Sequence, residues 1–231
     1  MNLMNKIKLI LLFAFIFFLA KLNAQDFSVR FQSGYGFYNM KSMEGLQNGL
    51  LNSIFRVQLK TVQSFPPFVN FEFQFAKSFS SNINGGLFFQ FLSTGGRDAV
   101  SDYSGEINID QIINGYNGGL LFEAYILKKE IKHLLFTFQL SYMYSTLQLK
   151  QSIKIYDQSN SQSTKFSSIG FGVEPGFAYE IPIKPIIIRA NLSFNAGLFE
   201  DFHLTNNSDL TMNNKPDWTG LRLGLTVGYE F

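Results

Sequence analysis

The sequence predicts an all-β chain that closes as an antiparallel up-and-down transmembrane β-barrel of eight strands, led by an export segment. Three observations predict it. Short stretches alternate with period 2, apolar on one face and glycine, polar or charged on the other. The connections between them alternate between short and long, as barrel turns and outer loops do. Finally, 27 Phe and 10 Tyr in 231 residues exceed what one soluble core of this size demands, so many aromatics must face something other than water.

Residues 1–24 carry Lys6 and Lys8, then an apolar run from Leu9 to Ala20, and end at Asn23-Ala24 before Gln25. This is the layout of a signal peptide, and the run is shorter than the roughly 20 residues of a spanning helix. Leu22 departs from the small residue usual near the cut, which leaves a retained anchor as the alternative. Residues 25–231 then form one barrel domain. Cleavage would remove Lys6, Lys8 and Lys21 and no acid, so 19 − 3 = 16 basic residues face 17 acidic ones. That balance predicts no nucleic-acid partner. With no Cys, neither a lipidated N-terminus nor a disulfide is available.

In chain order the strands are expected at residues 26–39, 67–77, 84–94, 107–127, 133–150, 166–181, 186–199 and 218–231. The last is the clearest: Leu221, Leu223, Leu225, Val227, Tyr229 and Phe231 share one face, opposite Gly220, Arg222, Gly224, Thr226, Gly228 and Glu230. In residues 67–77, Val69, Phe71, Phe73 and Phe75 alternate with Asn70, Glu72 and Gln74. Short connections fall at 78–83, 128–132 and 182–185, and long or polar ones at 40–66, 95–106, 151–165 and 200–217. Both termini then lie on the periplasmic side. Within 40–66, Met43, Leu46, Leu50, Leu51 and Ile54 have helical spacing, while Phe55, Val57 and Leu59 alternate. A short helix followed by a strand extension is expected, with Gly45 and Gly49 each weakening the helix by about 1 kcal/mol. Were residues 55–62 to cross the membrane, splitting 107–127 at Asn114-Gly115 would give ten strands.

Strand parity places Arg30, Glu72, Glu123, Glu174, Glu180, Arg189, Arg222 and Glu230 in the lumen, since an Arg on the lipid face costs about 2–4 kcal/mol near the midplane. An eight-stranded barrel is just wide enough for side chains to fill, so these charges are expected to plug it by pairing. The alternative is a small, porin-like ion or solute channel, because five of the eight are acidic. Tyr35, Phe37, Tyr142, Tyr144, Tyr179, Trp218, Tyr229 and Phe231, near strand ends, suggest an aromatic girdle.

Little points to catalysis. The two histidines are His133, beside a short turn, and His203, close in sequence to Asp201 and Ser208. A nucleophile needs a base and an orienting third group, and a loop rich in Asp, Asn and Ser supplies such triples by chance. No catalytic, cofactor or metal residue is assigned, and no enzyme activity is expected; a lipid-modifying enzyme through His203 is the weakest reading.

The signal ending Asn23-Ala24-Gln25, the alternating strand Leu221 to Phe231 with its terminal Phe, and the alternating connections resemble small outer-membrane barrels of the OmpA and OmpX type. They are similar in particular to the "outer membrane protein beta-barrel domain" group of Bacteroidetes-like bacteria. The resemblance implies residence in the outer membrane of a Gram-negative bacterium. It also implies that the alternating C-terminal strand, from Leu221 to Phe231, is read by the barrel-assembly machinery as a transient partner. Outer-membrane lipid is the standing partner. The expected role is structural, adhesive or interactive through the outer loops, where Tyr103, Tyr156 and Phe202 could meet an envelope or extracellular protein.

Overall fold

The computed structural model describes residues 27–53, 60–103, 105–129, 132–156 and 158–231. The expected leader and the alternation at Phe55, Val57 and Leu59 lie outside these residues. The elements are β1 (Phe27–Tyr38), α1 (Lys41–Ser53), β2 (Lys60–Gln63), β3 (Phe68–Ser80), β4 (Ile83–Asp102), β5 (Gly105–Lys128) and β6 (His133–Ile155). There follow β7 (Gln158–Ile183), β8 (Ile186–Phe199), β9 (Phe202–Leu204), β10 (Asn207–Met212) and β11 (Gly220–Glu230).

Eight strands close a ring in the order β1, β3, β4, β5, β6, β7, β8, β11 and back to β1, every pair antiparallel. The seam between first and last strands runs from Ser28 against Glu230 to Tyr38 against Gly220, so within the ring no strand is left with a free edge. Following the cross-strand pairs once around from Ser28 returns the path to Tyr38, a stagger of 38 − 28 = 10 residues. With strands about 4.8 Å apart and a rise of about 3.3 Å per residue, this stagger tilts them by about 40°. The seam needs glycine at Gly220: its φ is 155°, and a Cβ there would lie 1.7 Å from the Phe37 carbonyl oxygen.

Period 2 sets the two faces. Phe71, Phe73 and Phe75 on β3, and Leu221, Leu223, Leu225, Val227 and Tyr229 on β11 with Phe231 just after it, point outward and are exposed. Arg30, Glu72, Gln90, Glu123 and Arg222 on the opposite parity are buried inside. The outward face is therefore an apolar band built to meet lipid.

The ten-strand alternative is overturned. Among the described residues, β2 is four residues long and pairs only with β4, opposite Arg97 to Ala99, while β5 runs unbroken through Asn114-Gly115. The short helix is present as α1, and a Cβ at Gly45 would meet nothing within 4 Å. Three of the four long connections prove more ordered than a loop. Residues 95–106 and 151–165 continue the β4–β5 and β6–β7 ladders outward to tight tips, and 200–217 holds the β9–β10 hairpin. Where alternating polar residues can keep pairing with a neighbouring strand, backbone hydrogen bonding favours the ladder over a solvated loop. The result is lopsided: β4 to β7 rise as a tall wall, while β8, β11, β1 and β3 stop at the rim.

Two aromatic assignments change. Trp218 and Phe202 are both fully buried, so Trp218 is no girdle residue and Phe202 no exposed loop contact. Residues at the foot of a folded-in connection can bury an aromatic ring inside the mouth, which parity cannot register. Tyr35, Phe37, Tyr142, Tyr144, Tyr179, Tyr229 and Phe231 are exposed toward the lipid side.

Candidate functional site

The lumen is built in tiers, and the tier at the end where Phe27 and Phe231 lie, periplasmic in the orientation that the short and long connections predict, is a chain of charges. His133, on the first residue of β6, places Nδ1 2.7 Å from Glu180 Oε1. Arg189 donates through Nε to Glu180 and through Nη1 to Glu123, each at 2.5 Å. Arg30 donates to the same Glu123 at 2.7 Å, and Asn84 to its other oxygen at 3.1 Å. These groups come from β1, β4, β5, β6, β7 and β8, so closure of the ring is what assembles them.

A middle tier centres on Glu72, whose oxygens accept amide N–H groups from Gln74 and Gln139 at 2.7 Å and from Gln90 at 2.8 Å. Above it, Arg222 donates to Gln90 at 2.7 Å and to Glu174 at 2.5 Å, and Ser193 donates to the other Glu174 oxygen. Seven of the eight charged residues that parity assigned to the lumen are thus buried within it. Glu230 stands apart: it is half-buried at the periplasmic rim beside Lys128, Lys184 and Phe231, outside this chain of contacts.

The outer tier has the opposite chemistry. Met40, Met43, Phe65, Leu92, Ile113, Met143, Leu147, Phe202 and Trp218 form one buried apolar cluster across the mouth. Trp218 Nε1 donates to Ser145 Oγ at 2.9 Å, which satisfies its one polar atom, and Tyr38 stacks edge-on against the ring at 4.9 Å. A Cβ at Gly115 would come within 3.0 Å of the indole, so glycine leaves room for it. α1 holds the lid in place. Gln47 donates to the Gln63 carbonyl and to Asp98, and Asn214 donates to the Ser42 carbonyl, tying the helix to both sides of the mouth. Sequence reasoning missed this tier. One signal was present: Leu92, Ile113 and Leu147 make the lumenal parity apolar at the outer strand ends, where the charged pattern stops.

Outside the membrane the tall wall presents two kinds of feature. Tyr103 and Tyr156 are exposed at the hairpin tips. On the outward face Arg97 forms a two-pronged ion pair with Asp110. The β7 extension is paired with β6 from Gln158 onward, whereas its contacts with β9 begin at Phe166 and with β8 at Gly170. Thr205 caps the Lys165 carbonyl. Among the described residues, then, 158–164 form a strand with a neighbour on one side only, and every residue of it is exposed. His203 lies on β9 opposite Thr211 and Ser167, in a strand pairing rather than an open loop.

Comparison with known proteins adds shape alone. No family model matches the chain, and no curated protein matches it. Among solved structures it is similar to Ail, the attachment invasion locus protein of Yersinia pestis, solved with the heparin analogue sucrose octasulfate: 14% identity over 89% of this chain and 99% of that one, TM-score 0.33. Neisserial surface protein A matches at 11% identity over 89% and 97%, TM-score 0.38. The N-terminal β-barrel domain of Pseudomonas aeruginosa OprF matches at 11% over 88% and 97%, TM-score 0.30. Likeness at this level carries no argument about activity, and the narrower resemblance to the Bacteroidetes-like group gains no support from it.

Proposed function

We propose that the protein is a non-catalytic interaction barrel of a Gram-negative outer membrane, whose extramembrane β7 edge takes up an extended segment of a partner protein. The observation that carries this reading is residues 158–164. The run Gln158-Ser159-Asn160-Ser161-Gln162-Ser163-Thr164 has no proline and no charge. Protected edges carry lysines, prolines or bulges, or are covered by another element; this one has none of these among the described residues. An added strand would gain main-chain hydrogen bonds along it, with side-chain contacts setting preference. The export leader and the apolar band support the outer-membrane location, and the terminal Phe231 strand supports insertion by the barrel-assembly machinery.

In this reading the lumen is closed, plugged from the periplasmic side by the Arg–Glu chain and from outside by the apolar cluster. The channel and enzyme alternatives have no comparable observation behind them.

Photocrosslinkers at Ser161 and Ser163 in intact cells should capture one protein partner. Ser161→Pro and Asn160→Pro, placed so that one of them removes an outward-facing N–H, should weaken its binding at least tenfold while the barrel keeps its heat-modifiable migration. Full binding by both proline variants would sink the proposal. Planar-bilayer recording of the purified barrel should show no steady conductance; ohmic channels would refute closure.

A further inference from the structure

The outward face of the tall wall changes chemistry where the apolar band ends. Tyr144 on β6 stands directly opposite Ile169 on β7, and beyond this pair the outward side chains of the two strands turn polar. Four residues further out Gln148 faces Lys165, and six further out Lys150 faces Ser163. At a rise of about 3.3 Å per residue and a tilt of about 40°, these rungs lie about 10 and 15 Å beyond the band. The four positions make a square. Gln148 Nε2 donates to Ser163 Oγ at 2.8 Å along one diagonal, and the two lysines hold the other. Diagonal neighbours on one face are about 7–8 Å apart, within reach of long side chains.

Both lysines are exposed, and among the described residues no ion pair includes either. Asp110 lies directly opposite Lys150 on the β5 side, but its two oxygens accept from Arg97 at 2.5 and 3.0 Å. Glu106 faces Lys154. Beyond the band, the outward face of β4 to β7 thus sets Arg97, Lys150, Lys154 and Lys165 against two acids, an excess of two positive charges. The low side of the mouth is the reverse: residues 200–217 carry Glu200, Asp201, Asp209 and Asp217 with one lysine, Lys215.

We propose that the Lys150–Lys165 square docks the phosphorylated saccharide headgroup of an outer-leaflet glycolipid, whose acyl chains lie on the apolar band below. A phosphate monoester carries about −1.5 to −2 charges at neutral pH, the complement of the patch. Lysine meets phosphate as a point charge on a flexible stem, which lets its ammonium reach toward the interface. The square runs without a break into the lipid-facing band, so a ligand anchored in the leaflet is held there by its own tail, as a soluble phosphate is not. The site rests on the outer-membrane location proposed above but not on the β7 edge, since it uses outward side chains where strand addition uses main-chain groups.

The test titrates the folded barrel, in neutral-detergent micelles, with bisphosphorylated lipid A and counts bound lipid by native mass spectrometry. The Lys150→Gln, Lys165→Gln double variant should bind at least tenfold more weakly than wild type while keeping its heat-modifiable migration. Lipid A stripped of phosphate should bind wild type equally weakly. A Lys128→Gln, Lys184→Gln variant, altered at the opposite mouth, should bind like wild type. Undiminished binding by the square variant or of the stripped lipid, an equal loss in the Lys128/Lys184 variant, or displacement by millimolar inorganic phosphate would each overturn the proposal. Loss of lipid binding in a barrel that still fractionates with the outer membrane strikes the lysine site alone, whereas fractionation elsewhere removes the location on which it rests.

Discussion

Below Glu72 the lumen is held by Arg30, Arg189, Glu123 and Glu180, all from strands and all on the parity the ring turns inward. Above Leu92 it is filled by Met40, Met43, Phe65, Phe202 and Trp218, which come from α1, from β9 and from the segments between strands. The periplasmic tier needs only the correct register, because each charge finds its partner when the seam closes. The outer tier needs two separate connections, 40–66 and 200–217, to fold back into the mouth. One plug is electrostatic and net-neutral in stability terms, since a buried ion pair repays little more than its desolvation. The other gains from apolar burial directly. If the lumen is closed as proposed, this narrow barrel is sealed twice by different physics, and the two seals should fail differently.

The largest expected effect lies in the outer tier. Trp218→Ala should destabilise the barrel by about 3–5 kcal/mol in urea unfolding from lipid, through the cavity it leaves in the apolar cluster. A loss under about 1 kcal/mol would mean that the mouth collapses around the gap, or that the cluster is not a seal. In the periplasmic tier, Glu123→Gln leaves Arg30 and Arg189 without their shared carboxylate and should cost about 3 kcal/mol. Replacing that tier's charges together with apolar residues of similar size should be far less harmful than the single change. If it is not, the pairing contributes more than its desolvation costs.

A pH signature is expected where α1 meets the tall wall. Burial pushes the Asp98 carboxyl above its ordinary value of 3.8, with the Gln47 amide pulling the other way. A carboxyl raised on folding contributes stability that is fully present below its unfolded pKa and lost as pH rises through the folded one. Stability should therefore decline from acid toward neutral pH through this group, and Asp98→Asn should abolish that component while melting no lower than wild type at neutral pH. The smallest effect belongs to Gly45→Ala. It adds helix propensity to α1 where a Cβ meets open space, and should stabilise the lid by about 0.5–1 kcal/mol.

The parity argument reached the eight strands and most of the charged lumen because both are local consequences of alternation. From Leu221 to Phe231, each residue's face follows from its neighbours' faces. Glu230 shows the limit: it has the lumenal parity, but at the rim it is only half-buried and stands outside the buried ion-pair chain. The outer connections were harder to read. A run such as Gln151-Ser152-Ile153-Lys154-Ile155 is polar enough for a loop and alternating enough for a strand. What decides is the strand beside it, with Ile153 opposite both Ile107 and Asn160. Trp218 and Phe202 were misplaced for the same reason, since a residue beyond a strand end has no parity to inherit.

By itself the sequence determined the period-2 faces, the even strand number, the inward charges and the helical spacing of α1, because these depend on residues a few positions apart. Only the tertiary structure decided the stagger of ten, the tall wall with its open β7 edge, the apolar mouth and the pairing of Glu123 with two arginines. Those arise from contacts between positions up to the full length of the chain apart. Such contacts exist only once the first and last strands have met and fixed every register between them.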